Sequence, residues 1–135
     1  MLEIKPCTDL KLIAEYCGQC GKIPGPQFYL YLAKEGERLL AAGLFEIDSN
    51  SVDAVFYRGD EQDSWLLDAV LRAGLNYAAS HGIPTGRLPE EFRQANSALL
   101  AELKYPPQTE FDITNFFRKY KNCAQVRSEI RDGKV

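Results

Sequence analysis

Two thiols three residues apart, in the run Cys17-Gly18-Gln19-Cys20-Gly21, form the arrangement in this sequence closest to a reactive site. A redox dithiol needs its leading cysteine at a helix N-terminus, where the positive dipole end lowers the thiol pKa. The spacing of Leu10, Ile13, Ala14 and Cys17 predicts a helix from about Asp9 to Cys20, capped by Thr8, so the pair falls at the opposite pole. Zinc is the second chemistry. Cys-x-x-Cys-Gly is a knuckle-like half-site, but its further ligands would be Cys7 and Cys123, from opposite ends of the chain. All four cysteines are therefore expected to be reduced thiols packed as small apolar groups, with no disulfide and no metal.

Other titratable groups stand alone. His81, the single histidine, falls in the last turn of a long helix, where its charged form would suit the negative dipole end. Tyr57 precedes an acidic turn, Arg58-Gly59-Asp60-Glu61-Gln62-Asp63-Ser64, and could give a proton there. Residues 46 to 68 carry seven acids against the one base Arg58, a sum of −6, and residues 118 to 135 carry six bases against Glu129 and Asp132, a sum of +4. A solvated polar tail is the simple expectation for the second run. It could also pair with the acidic turn of its own chain or of a second copy, which leaves a homodimer open.

The elements that must position these groups follow from periodicity. At 135 residues, with 45% hydrophobic and 26% charged residues, the chain suits one ordinary domain with a real core, here residues 1–123 followed by a polar tail, 124–135. A net charge of −3 lacks the basic face of a nucleic-acid binder. No apolar run reaches membrane length, and the start MLEIKPCTDL lacks a signal peptide's order, so a cytoplasmic protein is expected.

From Ser64 to Ser80 the polar residues Ser64, Asp68, Arg72, Asn76 and Ser80 recur every fourth position among leucines and valine, which predicts a helix with one thin wet stripe. Before it, Phe28 to Lys34, Arg38 to Asp48 and Val52 to Tyr57 predict an antiparallel meander joined by Glu35-Gly36-Glu37 and Ser49-Asn50-Ser51. In the last strand Val52, Ala54 and Phe56 alternate against Asp53, Val55 and Tyr57. Its outward aromatics could line a cleft beside the acidic turn. Leu2 to Lys5, Thr85 to Leu88 and Phe111 to Ile113 add short strands. Asn96 opens a helix to about Lys104, and Thr114 caps a last one that includes Tyr120. The fold class is α/β (α+β), with a mixed, mostly antiparallel sheet and a central long helix.

This order of elements is similar to the GNAT superfamily of acyl-CoA N-acyltransferases over about residues 2 to 113. Leu39-Leu40-Ala41-Ala42-Gly43-Leu44-Phe45 looks like the family's third strand, and Ser97-Ala98-Leu99-Leu100-Ala101-Glu102-Leu103-Lys104-Tyr105 looks like its Leu-Tyr-Glu-Lys-Leu-Gly-Phe segment. The resemblance implies acetyl-CoA as donor, its pyrophosphate held by amides at the turn before the long helix. That turn and its flanks supply Phe56, Tyr57, Arg58, Gly59 and Ser64 as cofactor-binding candidates. The carboxylate base the family often carries implies Asp53 or Glu46, and Tyr57 is the candidate acid. Glu61 and Asp63 align with the two glycines of the family's turn, however, and its tyrosine acid aligns with Leu100. Three carboxylates would face a pyrophosphate, and Asp63 would cap the helix with the donors the phosphate needs. The resemblance then implies a catalytically degenerate GNAT-like domain that binds a small ligand or a protein partner. The alternative is an N-acetyltransferase that uses acetyl-CoA through an atypical site.

Overall fold

A computed structural model describes residues 1–119, which in chain order form β1 (Leu2–Pro6), α1 (Leu10–Gln19), β2 (Phe28–Glu35), β3 (Arg38–Asp48), β4 (Ser51–Gly59), α2 (Ser64–Ser80), β5 (Thr85–Arg87), α3 (Glu90–Ala95), α4 (Ser97–Glu102), β6 (Glu110–Asp112) and α5 (Ile113–Lys119). Tyr120, Cys123 and most of the basic tail lie outside the described residues. The strands lie side by side in sequence order, antiparallel at every pairing except β4 with β5. A parallel pair needs a crossover, and α2 supplies it.

Helix α2 covers one face of the sheet and α1 the other. On the α2 side Leu67, Val70, Leu71, Leu75 and Ala78 are fully buried with Ala33, Phe45, Val52 and Ala54. On the α1 side Ile13, Tyr16 and Cys17 pack on Leu30, Ala42 and Leu44. Glycine marks where α2 comes closest: a Cβ on Gly43 would run into Val70, and one on Gly74 into the Phe45 ring.

The wet stripe expected of α2 is wet only at its far end. Residues four apart on a 3.6-residue turn advance by about 40°, so from Ser64 to Ser80 the polar positions wind about 160° round the helix. Their first half turns under α4 and α5. Ser64 and Asp68 are 2% and 3% exposed, whereas Asn76 and Ser80 reach solvent. Buried Asp68 is satisfied by Arg72 Nε at 3.0 Å and by the Tyr105 hydroxyl, which donates at 2.6 Å. The Arg72 guanidinium lies over the Phe117 ring, 4.5 Å from its centre.

Local caps differ from expectation in three places. Asp9 rather than Thr8 caps α1, its Oδ1 accepting from the amides of Lys11 and Leu12. Helix α3 was not expected at all, and Asn96 lies between α3 and α4, donating from Nδ2 back to Phe92 O. The last helix starts at Ile113, two residues earlier than a Thr114 cap allows, with Asp112 Oδ1 accepting from Asn115 N. Helix α4 ends at Glu102, and its closing bonds run from Tyr105 N to Leu100 O and from Lys104 N to Ala101 O, with Lys104 at φ 60°.

Candidate functional site

Two irregularities in β4 open a cleft. Strand β4 pairs with β5 only at Ser51, Val52 and Asp53, yet it stays paired with β3 as far as Gly59. From Ala54 onward one edge of β4 therefore faces no strand among the described residues. Between these ends the register slips, Leu44 opposing Phe56 while Phe45 opposes Ala54, so Val55 is the extra residue of a bulge. The bulge corrects the simple alternation: Val52 and Ala54 face α2, but Val55 and Phe56 both pack with the α1-side cluster, and Tyr57 returns to the α2 side.

A cavity of about 710 Å³ occupies the gap. One wall is β4 from Val55 to Gly59 together with Glu61; the other is the α3–α4 segment between Glu91 and Leu99; Gln19 and Cys20, at the end of α1, close the side. Of the cofactor-binding candidates, Phe56, Tyr57, Arg58 and Gly59 line this space. Ser64 does not; it is buried at the first turn of α2. Residues of α3 went unforeseen as a wall. The signal was present in Pro89 followed by Glu90 and Glu91, a helix-start pattern.

The acidic turn folds onto its own amides. Asp60 Oδ1 accepts from Gln62 N at 2.8 Å, and Asp60 O accepts from Asp63 N at 3.1 Å. Asp63 Oδ1 accepts from Trp65 N at 3.1 Å and Leu66 N at 3.3 Å, which makes it the N-cap of α2. Donors that an anion at this helix start would use are thus bonded to carboxylates of the chain itself.

The catalytic candidates separate. Asp53 and Glu46 lie opposite one another on β4 and β3, outside the cavity lining. Glu46 pairs with Lys22 at 3.4 Å. Asp53 faces Arg87 at 3.5 Å, close enough to attract but without the alignment of a hydrogen bond. Burial pushes the Asp53 carboxyl up, Arg87 pulls it back, and Glu46 and Asp48 push it further. Tyr57 does reach the cavity. Its hydroxyl is buried without a hydrogen-bond partner among the described residues, and burial, with Asp63 and Asp60 adding to it, holds its pKa well above the ordinary phenol value. Leu100 is core, and Tyr105 is committed to Asp68.

Cys7, Cys17 and Cys20 are free thiols. Burial raises the Cys17 and Cys20 pKa values, and Cys20 Sγ donates to the carbonyls of Tyr16 and Cys17. His81 Nδ1 lies 2.8 Å from Tyr77 O at the end of α2. Among the described residues no group of three or more histidines, cysteines or carboxylates could hold a metal ion, and no helix is long and apolar enough to cross a membrane.

No family model matches the chain, and no curated protein matches it in sequence. Solved structures do match in shape. The ribosomal-protein-S18-alanine N-acetyltransferase of Escherichia coli superposes with a TM-score of 0.55 at 17% identity, covering 81% of this chain and 80% of that one. A GNAT-family protein from Desulfovibrio desulfuricans gives 0.59 at 7% identity, covering 84% and 99%. YhhK from E. coli, whose structure contains coenzyme A, gives 0.53 at 17%, covering 83% and 98%. The fold is that of the GNAT acetyltransferases.

The cavity lies where β4 and β5 diverge. Lys104, aligned with the glycine of the GNAT Leu-Gly-Phe segment, adopts the left-handed conformation that glycine would take most easily. The GNAT scaffold is thus kept at α4, while the turn before α2 carries carboxylates on its donors.

Proposed function

We propose that this GNAT-fold domain binds a small molecule in the β4/β5 cleft and does not hold acetyl-CoA by its pyrophosphate at the turn before α2. One observation carries the reading: Asp60 and Asp63 accept the hydrogen bonds of Gln62, Trp65 and Leu66. A pyrophosphate would have to break those bonds and lie against Asp60, Glu61 and Asp63, repelled by each. Neither Asp53 nor Glu46 lines the cavity, so no carboxylate base from the strands meets a substrate there.

A second reading, acyl transfer from acetyl-CoA in an atypical pose, draws on the unpaired edge of β4 beyond Asp53. Alternate residues of that edge present N–H and C=O groups that could bond an amide-bearing acyl-donor arm as an added strand would. Tyr57, kept protonated by burial, would be the proton donor in that case. Isothermal calorimetry and thermal unfolding with acetyl-CoA separate the two. A ligand at a hundred times its Kd adds about 2.7 kcal/mol, so about 1 mM acetyl-CoA should leave the melting temperature unmoved if the turn excludes it. Binding at low micromolar Kd would replace the first reading with the second.

A further inference from the structure

Strand β4 has an open edge that the rest of the described chain does not fill. From Ala54 to Gly59 it pairs with β3 alone among the described residues, so alternate N–H and C=O groups face the cavity of about 710 Å³. Such an edge is a template for a further strand.

The chain itself runs towards that place. Ile113 N donates to Pro84 O just beyond the end of α2, while Phe117 lies over Arg72 at its middle. Helix α5 is therefore antiparallel to α2, and Lys119 points towards the turn where α2 begins. From Arg72 back to Asp63 is nine residues, about 14 Å along the helix. Sixteen residues of sequence follow Lys119. The first six, 120–125, span up to about 20 Å when extended, enough to reach the mouth of the cleft.

The next six have the pattern of an added strand. Val126, Ser128 and Ile130 alternate with Arg127, Glu129 and Arg131, the period of a half-buried strand, and six residues match the open length of β4. Two branched apolar side chains are too few to build a core of their own, but they suit a lining that already holds Val55, Phe56, Phe92 and Leu99. Charge agrees with pattern. Residues 120–135 carry four bases, Lys121, Arg127, Arg131 and Lys134, against the two acids Glu129 and Asp132, a sum of +2. Asp60 and Glu61 on the turn and Glu91 on α3 are exposed and form no ion pair among the described residues.

We propose that residues 126–131 of the same chain add to the open edge of β4 as an antiparallel strand, with Lys121 and Arg127 brought beside Asp60, Glu61 and Glu91. The docked segment covers the cleft, and the proposal goes beyond the small-molecule reading by placing a competitor in the ligand's space.

Nuclear magnetic resonance of the 13C,15N-labelled 135-residue protein tests it. Cross-strand nuclear Overhauser effects should join residues 126–131 to residues 54–59. The cleft-facing amides of β4 should exchange with solvent about tenfold more slowly than in Val126→Asp with Ile130→Asp. Lys121→Glu with Arg127→Glu should release the segment likewise, and raising the salt should weaken docking in the parent. Unchanged β2 and β3 amide shifts show that each variant is folded. Random-coil shifts throughout residues 120–135, or equal β4 exchange in the parent and both variants, would overturn the proposal. In a mixture of labelled and unlabelled protein, contacts that run only between the two species would assign the edge to a second copy and overturn it as well. Acetyl-CoA titrated into the released variants keeps the two readings apart: binding there but not to the parent overturns exclusion by the turn and leaves the docked segment standing.

Discussion

Replacing Glu61 and Asp63 together by glycine tests whether the turn is closed to anions by its own carboxylates. The change removes two negative charges and frees the amides of Trp65 and Leu66, which Asp63 Oδ1 now occupies at 3.1 and 3.3 Å. Two unit charges about 5 Å apart in water repel by roughly 0.8 kcal/mol, and screening over a Debye length of about 8 Å at 0.15 M salt halves that. Removing two such repulsions is worth about 0.8 kcal/mol. Each freed amide adds on the order of 0.5 to 1 kcal/mol when a phosphate oxygen accepts from it. The sum, about 1.8 to 2.8 kcal/mol, is roughly a twentyfold to hundredfold gain in acetyl-CoA affinity. Glycine is itself an acceptable N-cap, so lost capping and charge–dipole attraction should cost the fold only about 1 kcal/mol. Calorimetry on the folded variant decides it. If the variant keeps its melting temperature within a few degrees and binds acetyl-CoA no better than the parent, the carboxylates are not what closes the turn.

Three further outcomes follow from the packing. Lys104→Gly should raise stability by about 1 kcal/mol, because Lys104 is exposed and held at φ 60°; a lower melting temperature would contradict the strain argument. Tyr105→Phe should cost about 1 to 3 kcal/mol in urea unfolding, since it leaves buried Asp68 without the hydroxyl at 2.6 Å, and an unchanged midpoint would show the bond to be unimportant. Alkali should unfold the protein. The pKa values of Tyr29 and Tyr105 are raised above the ordinary 10.0, chiefly by burial, so folding favours their protonated forms. That contribution is fully present below pH 10 and is lost above it at about 1.4 kcal/mol per pH unit for each tyrosine; tyrosinate absorbance rising well before the loss of helical circular dichroism would refute it.

What was legible from the sequence was local. The α2 cap at Asp63 and the hairpin turn at Gly36 involve bonds or conformations within a few residues, and residue type alone specifies them. The meander β2–β3–β4 was equally readable, because short polar turns bring strands that follow one another in sequence into antiparallel pairing. The burial of Leu67, Val70 and Leu71 followed from 3.6-residue spacing.

Tertiary structure decided the rest. Whether Asp68 is wet depends on Tyr105, thirty-seven residues away, and not on its place in the α2 stripe. The bulge at Val55 depends on how β3 and β4 twist against each other, and it reassigns Phe56 and Tyr57 to opposite faces without any mark in their own residue types. The cleft exists because β5 pairs with β4 for three residues and then leaves it. Where two strands joined by a 17-residue helix part company is set by the packing of α3 and α4 beside them, a sum over distant contacts that no window of sequence contains.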